Sequence, residues 1–408
     1  MVTLRTAAPL WLRHGSTRIC RYPALTRHLT ADVVIVGGGM TGSIIAWTFA
    51  SHGARVALLE GQQVGRGSTA ASTALLLQEP DESLGDLSNR YGRAQAIRIW
   101  ELSRQGVRDL TSVLRHERIA CDLAFRDTIY YAQRHSAARA LGKEFRRRLA
   151  AGFTGEWLDA RALLDASGIV GECAIRTRGN AQCDPYRACL GLMHAASRAG
   201  ARIFEHSTVT NVDTTADGVT ACTPKGSVSA PHVVVATGFA TPHFKPLAGR
   251  FKMKHTYVVA TEPIDGRSRP QRGPGDVMTW DVARPYHYAR WTRDHRLLFG
   301  GGDVARGSEW QRRRMFAVRT RRLQRHFQRI MPALRDVAID YLWEGLFAMT
   351  PDGLPYVGPH SRYPRHLFAL GYGGNGMSLG FVAARMLWEM VQGRRSADHA
   401  LFAFDRFQ

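Results

Sequence analysis

Asp32-Val-Val-Ile-Val-Gly-Gly-Gly-Met-Thr-Gly42 is the stretch on which the reading turns. Val33 to Val36 is a β-branched run, as expected of a short parallel strand buried on both faces. Gly37, Gly39 and Gly42 then occupy the three places of G-x-G-x-x-G, with Met40 and Thr41 between them. Ile44, Ile45 and Phe49 recur on one side of the helix that should follow. Each glycine has a physical reason to be there, the first for a tight turn, the second for close backbone approach to a pyrophosphate, the third for close packing of helix on strand. The pyrophosphate would lie against the positive helix end. The motif is weak alone. It gains force from Arg55-Val-Ala-Leu-Leu59, which reads as a second strand ending in Glu60. An acid there accepts hydrogen bonds from both ribose hydroxyls of an adenosine and disfavours a 2′-phosphate. The expected fold class is α/β, with a Rossmann-like domain for a dinucleotide that is NAD or FAD on these residues alone.

Three later segments extend the pattern. Gly65-Arg-Gly-Ser-Thr69, followed by Ala70, Ala71 and Ser72, offers small residues and free amides to line a longer dinucleotide. Val209 lies in a strand-like segment after Glu205, and His232-Val-Val-Val-Ala-Thr-Gly238 reads as a returning buried strand. Gly371-Tyr-Gly-Gly-Asn-Gly-Met377 opens a helix to about Gln392, with Gly393 as its C-terminal glycine. A second glycine-rich helix start so far along the chain suits a cofactor held at both ends.

Composition excludes other classes. The chain has 408 residues, 45% apolar and 22% charged, a globular balance with ample material for a core. Its net charge is +21, and fifty of the 55 basic residues are arginine. They are spread along the whole chain, which argues against nucleic acid as a partner and for a compositional preference. The densest run, Arg312 to Arg329, carries Phe316, Leu323, Phe327 and Ile330 at helical spacing, so an amphipathic helix with a solvated cationic face is expected. Six cysteines without a CxxC pair point away from metal and disulfide scaffolds and towards a reducing, cytoplasmic setting. Residues 33–51 are uncharged, but their four glycines suit a strand, a turn and a buried helix better than a membrane span. Residues 1–31, with five arginines and no acid, read as an N-terminal arm packed through Trp11, Tyr22 and Pro23.

The set GGGMTG, GRGSTAAS, VVVATG, MTPDGLPYVG (349–358) and GYGGNGM, in this order, resembles the D-amino-acid oxidase/glycine oxidase superfamily of FAD-dependent oxidoreductases. In style it is similar to the branch that includes gamma-glutamylputrescine oxidoreductase. The resemblance implies an FAD domain from residues 32–100, 185–245 and 345–408, interleaved with an α+β substrate domain, 101–184 and 246–344, built on an antiparallel sheet. It implies that Gly37, Gly39, Met40, Thr41 and Gly42 meet the pyrophosphate and Glu60 the ribose. Arg66, Gly67, Ser68 and Thr69 would line the flavin side, Val209 would meet adenine, and Gly238, Gly373, Gly374, Asn375, Gly376 and Met377 would complete the site. Relatives that attach FAD through a cysteine hold it five residues before the Thr-Pro-Asp motif, where this chain has Gly345; those that use a histidine place it after the glycine turn, and 61–77 contains none. Non-covalent FAD is therefore expected. The implied reaction passes a hydride from the carbon of a C–N bond to the flavin, giving an imine that water hydrolyses.

The substrate region says less. Asp184-Pro185 reads as a helix start. His255–Thr261, Pro285–Arg290 and Arg296–Gly300 read as antiparallel strands, with Tyr286, Tyr288 and Arg290 on one face. Tyr288 and Arg290 are the candidates for positioning a substrate, the arginine by gripping a carboxylate. Phe299-Gly-Gly-Gly-Asp303 reads as a structural turn and Asp352 as a turn-forming acid. The leading expectation is oxidation of a small amine or amino acid, with oxygen or a quinone as acceptor and no metal. Alternatives are a dehydrogenase docking peripherally on an anionic membrane to reduce quinone, an RNA-modifying flavoenzyme, and a non-catalytic flavin-binding subunit.

Overall fold

The computed structural model describes residues 5–12, 21–264 and 276–407. Cys20 and residues 13–20 of the expected arm lie outside these. Around the glycine turn the chain folds as its pattern dictates. The Val33–Val36 strand enters the turn, and the Met40–Ser51 helix leaves it. That helix is apolar on nearly all sides, with Ile44, Ile45 and Phe49 fully buried, so it is a core helix and not a surface one.

The Val33–Val36 strand sits near the middle of a six-stranded sheet. Its neighbours are Val56–Leu59 and His232–Gly238, both parallel to it, in the register Val34↔Ala57 and Val34↔Val233. Arg202–Phe204 closes one edge in parallel, and Tyr363–Leu370 with its antiparallel partner Tyr356–His360 closes the other. Helices Met40–Ser51, Pro185–Arg198, Arg93–His116 and Ser378–Val391 cover one face in a single apolar cluster. Pro185–Arg198 starts as expected, with the Asp184 carboxylate accepting from the Tyr186 and Arg187 amides.

A small four-stranded sheet covers the opposite side, built from Asn211–Thr214, Val219–Thr223, Gly226–Ala230 and His28–Thr30. Val209 lies in the loop before it and not in a strand, a correction to the expectation. The arm is packed on the body: Arg5–Thr6 pairs with Ile339–Met349, and the Trp11 indole donates to the Ser72 carbonyl at 2.8 Å.

The third sheet has ten strands. Its centre runs through Ile339–Met349, Lys252–Thr261, Leu297–Ala305 and His287–Trp291, all antiparallel, then Met278–Asp281 and Ala124–Ala132, which are parallel to each other. Glu309–Ile330 is the amphipathic helix, begun by a Ser308 capping box and packed on this sheet through Leu323, Phe327 and Ile330. Phe299 to Asp303 is a continuous part of the Leu297–Ala305 strand and not a turn. The glycines serve a neighbour: a Cβ on Gly300 would stand 2.4 Å from the Tyr288 ring, so only glycine lets that ring lie flat on the strand. No helix among the described residues is long and apolar enough to cross a membrane.

Candidate active site

One cavity of about 1010 Å³ lies between the six-stranded and ten-stranded sheets, at the upper end of the size range of ligand and cofactor sites. Its walls come mainly from the glycine turn, residues 59–77, residues 208–212, the end of the His232–Gly238 strand with the segment after it, residues 345–348 of the Ile339–Met349 strand, and the 372–377 loop. Aromatic and acidic side chains of the ten-stranded sheet close its far end.

At the glycine turn, Gly37, Gly39, Met40 and Thr41 line the cavity. Gly42 does not, which corrects its assignment as a contact residue. A Cβ there would meet the Gly37 carbonyl oxygen at 1.9 Å, so its role is to let the helix start beneath the turn. Gly39, the residue before the helix, has no side chain to cap it; the Thr69 hydroxyl supplies the cap from the short Ser68–Ala71 helix, accepting from the Met40 amide at 2.9 Å. Glu60 lines the cavity beside the turn and accepts from the Gly38 and Gln62 amides at 2.7 and 2.8 Å. Burial pushes its pKa up, and these two amides oppose the shift. Arg66, Gly67, Ser68 and Thr69 form the adjoining wall, where Ser68 donates to the Leu346 carbonyl at 2.7 Å. Val209 and Gly238 also line it.

The 372–377 loop contributes Gly373, Gly374, Asn375, Gly376 and Met377. Its amides are organised by an acid that sequence reasoning missed. Asp81 accepts from Gly374 N at 2.6 Å and from Asn375 Nδ2 at 2.9 Å, and it is buried in the wall. Burial raises its pKa to about 6, against the pull of the Gly374 amide and the Arg284 charge. Asn375 Oδ1 is buried with no hydrogen-bond partner, an acceptor held in the cavity wall.

The far end carries Thr256, Trp280, Tyr286, Tyr288 and Asp303. The hydroxyls of Tyr288 and Thr256 are 3.1 Å apart. Asp303 is the second acid that sequence reasoning missed. Burial raises its pKa to about 6, while the Thr256 hydroxyl and the charges of Lys254 and His287 pull the other way. The signal was present: three glycines in a strand beside an alternating Tyr-x-Tyr strand mark the close approach of a ring, and the next residue returns to the cavity face.

Arg290 does not reach the cavity. Its guanidinium is buried, donates to the Thr73 and Cys183 carbonyls, and stacks under the Trp11 ring at 5.0 Å. The alternation placed it on the correct face, but packing behind Thr73 turns it into a tie between segments. No arginine of the 312–329 run lines the cavity either. Asp352 forms the expected turn, accepting from Thr350 and Leu354 N, and Arg406 grips it with two hydrogen bonds at 2.8 and 2.9 Å. A cysteine at 345 would have its Cβ 2.8 Å from that of Ala71, so the wall is packed against a cysteine at that position.

These residues fit a dinucleotide with a planar head group. A glycine turn and a fixed carboxylate stand at one end, small residues and an amide-bearing loop along the middle, and an aromatic chamber at the other. The gamma-glutamylputrescine oxidoreductase of Escherichia coli (strain K12) is 27% identical over 391 residues, covering 93% of this chain and 88% of that one. The glycine oxidase of Bacillus licheniformis is 24% identical over 369 residues, covering 89% and 93%. The crystal structure of glycine oxidase from Geobacillus kaustophilus superposes with a TM-score of 0.75 at 22% identity, over 90% of this chain and 96% of that chain. The family of FAD dependent oxidoreductases (DAO) matches residues 32–390, and this chain, an FAD-dependent enzyme, belongs to it.

Proposed function

We propose that the protein oxidises the C–N bond of a small amine or amino acid, with FAD held non-covalently along the cavity. One observation carries this reading: a single cavity joins the glycine turn and Glu60 to a chamber walled by Tyr286, Tyr288 and Asp303. The chemistry supplied by bound FAD is acceptance of a hydride from the carbon beside nitrogen. What the chain's own side chains do is more limited. Glu60 and the turn would fix the adenosine half, and the 373–377 loop would offer amides to the flavin's polar edge. Met40, Thr41 and the 66–69 wall would hold the middle. The aromatic chamber would exclude water and orient the substrate carbon, with Tyr288 as a positioning residue.

Non-covalent binding is supported by the wall itself. Among the described lining residues there is no cysteine, and the one histidine, His243, lies outside the 61–77 segment. The proposed division into a cofactor half, 32–100, 185–245 and 345–408, and a substrate half is supported by the six-stranded sheet, whose strands all fall in the first set. The five described cysteines are free thiols, which suits a cytoplasmic setting. The acceptor is oxygen or a quinone.

Acid precipitation of the purified protein tests the cofactor: FAD should appear in the supernatant, one per chain, and flavin retained in the pellet would contradict the non-covalent reading. Admitting air to substrate-reduced enzyme then separates the acceptors, since an oxidase regains its yellow colour at once and a quinone-linked enzyme does not.

A further inference from the structure

The chamber at the far end of the cavity is built for a cation and against a carboxylate. Among the described residues, the only Arg or Lys side chain in the cavity wall is Arg66. It follows Gly65, whose amide donates to the Gly38 carbonyl, in the 66–69 wall. Arg290, the guanidinium on the same sheet face as the tyrosines, is occupied by two backbone carbonyls behind the wall. Arg284 donates to the Asp81 backbone carbonyl at 3.2 Å and stands behind the wall, 5.7 Å from the centroid of the Tyr286 ring; neither it nor Lys254 lines the chamber.

What does line it is acidic and aromatic. Both Asp81 oxygens already accept hydrogen bonds from the 374–375 segment. Asp303 differs: its Oδ1 is buried with no hydrogen-bond partner, an acceptor that a bound N–H would satisfy. Around it stand the rings of Tyr288, Tyr286 and Trp280, with Tyr286 6.1 Å from Tyr288 and 6.5 Å from Trp280 between centroids, at interplanar angles of 55° and 78°. Tyr130 stacks on Trp280 at 3.8 Å and holds it upright. Aromatic rings beside an acceptor-bearing carboxylate favour an alkylammonium over an anion. A carboxylate on the oxidised carbon would instead stand beside two acids in a poorly solvated space.

We infer that the substrate is an alkylamine without a carboxylate on the oxidised carbon, its ammonium drawn by Asp303 between the rings of Tyr286, Tyr288 and Trp280 and losing one N–H proton to solvent, so that the hydride leaves from the neutral amine. This rests on the reading of the protein as a C–N-oxidising flavoenzyme. The test uses the FAD-loaded enzyme and matched monoamine pairs that differ by one carboxylate: phenethylamine and phenylalanine, isoamylamine and leucine, isobutylamine and valine. In each pair that reduces the flavin anaerobically, the amine should have the higher kcat/KM by about tenfold or more, equivalent to ~1.4 kcal/mol. Asp303→Asn should raise the KM for the preferred amine by about tenfold or more with a much smaller change in kcat, and Asp303→Glu should recover part of the loss. A purely structural role would lower flavin content or kcat and leave KM in place. Equal or better turnover of the amino-acid members overturns the inference and leaves the reaction class standing. Failure of every member of both series to reduce the flavin overturns the reaction class, and the inference with it.

Discussion

Replacing Gly42 by alanine should separate cofactor binding from folding. The added Cβ would stand 1.9 Å from the Gly37 carbonyl oxygen and 3.0 Å from its carbon. Carbon atoms of side chains do not approach closer than 3.0 Å, so the two backbones must part by at least 3.0 − 1.9 = 1.1 Å. Gly37 has little freedom to move, because its amide donates to the Leu59 carbonyl within the sheet at 2.9 Å. The helix must move instead, but Ile44, Ile45 and Phe49 are fully buried on its flanks. Overpacking of this kind costs about 1–3 kcal/mol. The strain is released where the turn opens, so it falls on the cradle that Gly37 and Gly39 form. At ~1.4 kcal/mol per decade, 2 kcal/mol gives a rise of roughly 30-fold in the FAD Kd. Titration of apoprotein with FAD, followed by flavin fluorescence, reads this directly. Gly249→Ala is the control, since a Cβ there meets nothing within 4 Å. Unchanged FAD affinity in the Gly42→Ala protein would refute the assignment of the turn as the cofactor cradle.

Three further outcomes follow from buried charge. Arg406→Met leaves the Asp352 carboxylate, side chain fully buried, facing Tyr91 with no counter-charge, and should destabilise the fold by about 3–5 kcal/mol in a thermal or urea melt. Burial raises the pKa of Asp352, but the Arg406 pair and the Tyr91 hydroxyl outweigh it and hold the folded value below the usual 3.8. Its contribution is thus present above the unfolded pKa and lost as pH falls through the lower folded value, a loss the Arg406→Met protein should not show. Asp303 runs the other way: with its folded pKa raised to about 6, the native state binds more protons than the unfolded chain between about pH 4 and 6, so stability falls as pH rises through that window. Asp303→Asn should remove about 2–3 kcal/mol of this decline, seen as a flatter profile of melting temperature against pH. Arg290→Gln should lower the melting temperature by stranding the Thr73 and Cys183 carbonyls, and leave the substrate KM of the folded fraction unchanged; a raised KM would return Arg290 to the site.

The parts of this molecule legible in the sequence are those whose chemistry is local. A β-branched run, a glycine turn and an apolar helix specify one another within about twenty residues, and Glu60 follows at the end of the next strand. The Asp184-Pro185 helix start and Gly393 at the end of the last long helix were legible for the same reason. The far end of the cavity was not, because it is assembled across the chain. Asp81 gains its meaning only from Gly374 and Asn375, nearly three hundred residues away. Asp303 was hidden by its glycines, which suggest a turn in isolation but form a strand once the Tyr288 ring needs the space. Arg290 shows the converse: period-two alternation assigns a face and cannot say how far along that face the cavity extends.

The most direct measurement is an anaerobic titration of the FAD-loaded protein with amines and amino acids, followed in the visible flavin band. At least one amine should bleach the band completely and stoichiometrically, with release of the corresponding carbonyl compound. A protein that binds FAD one to one, is bleached by dithionite, and is left oxidised by every amine and amino acid would contradict it.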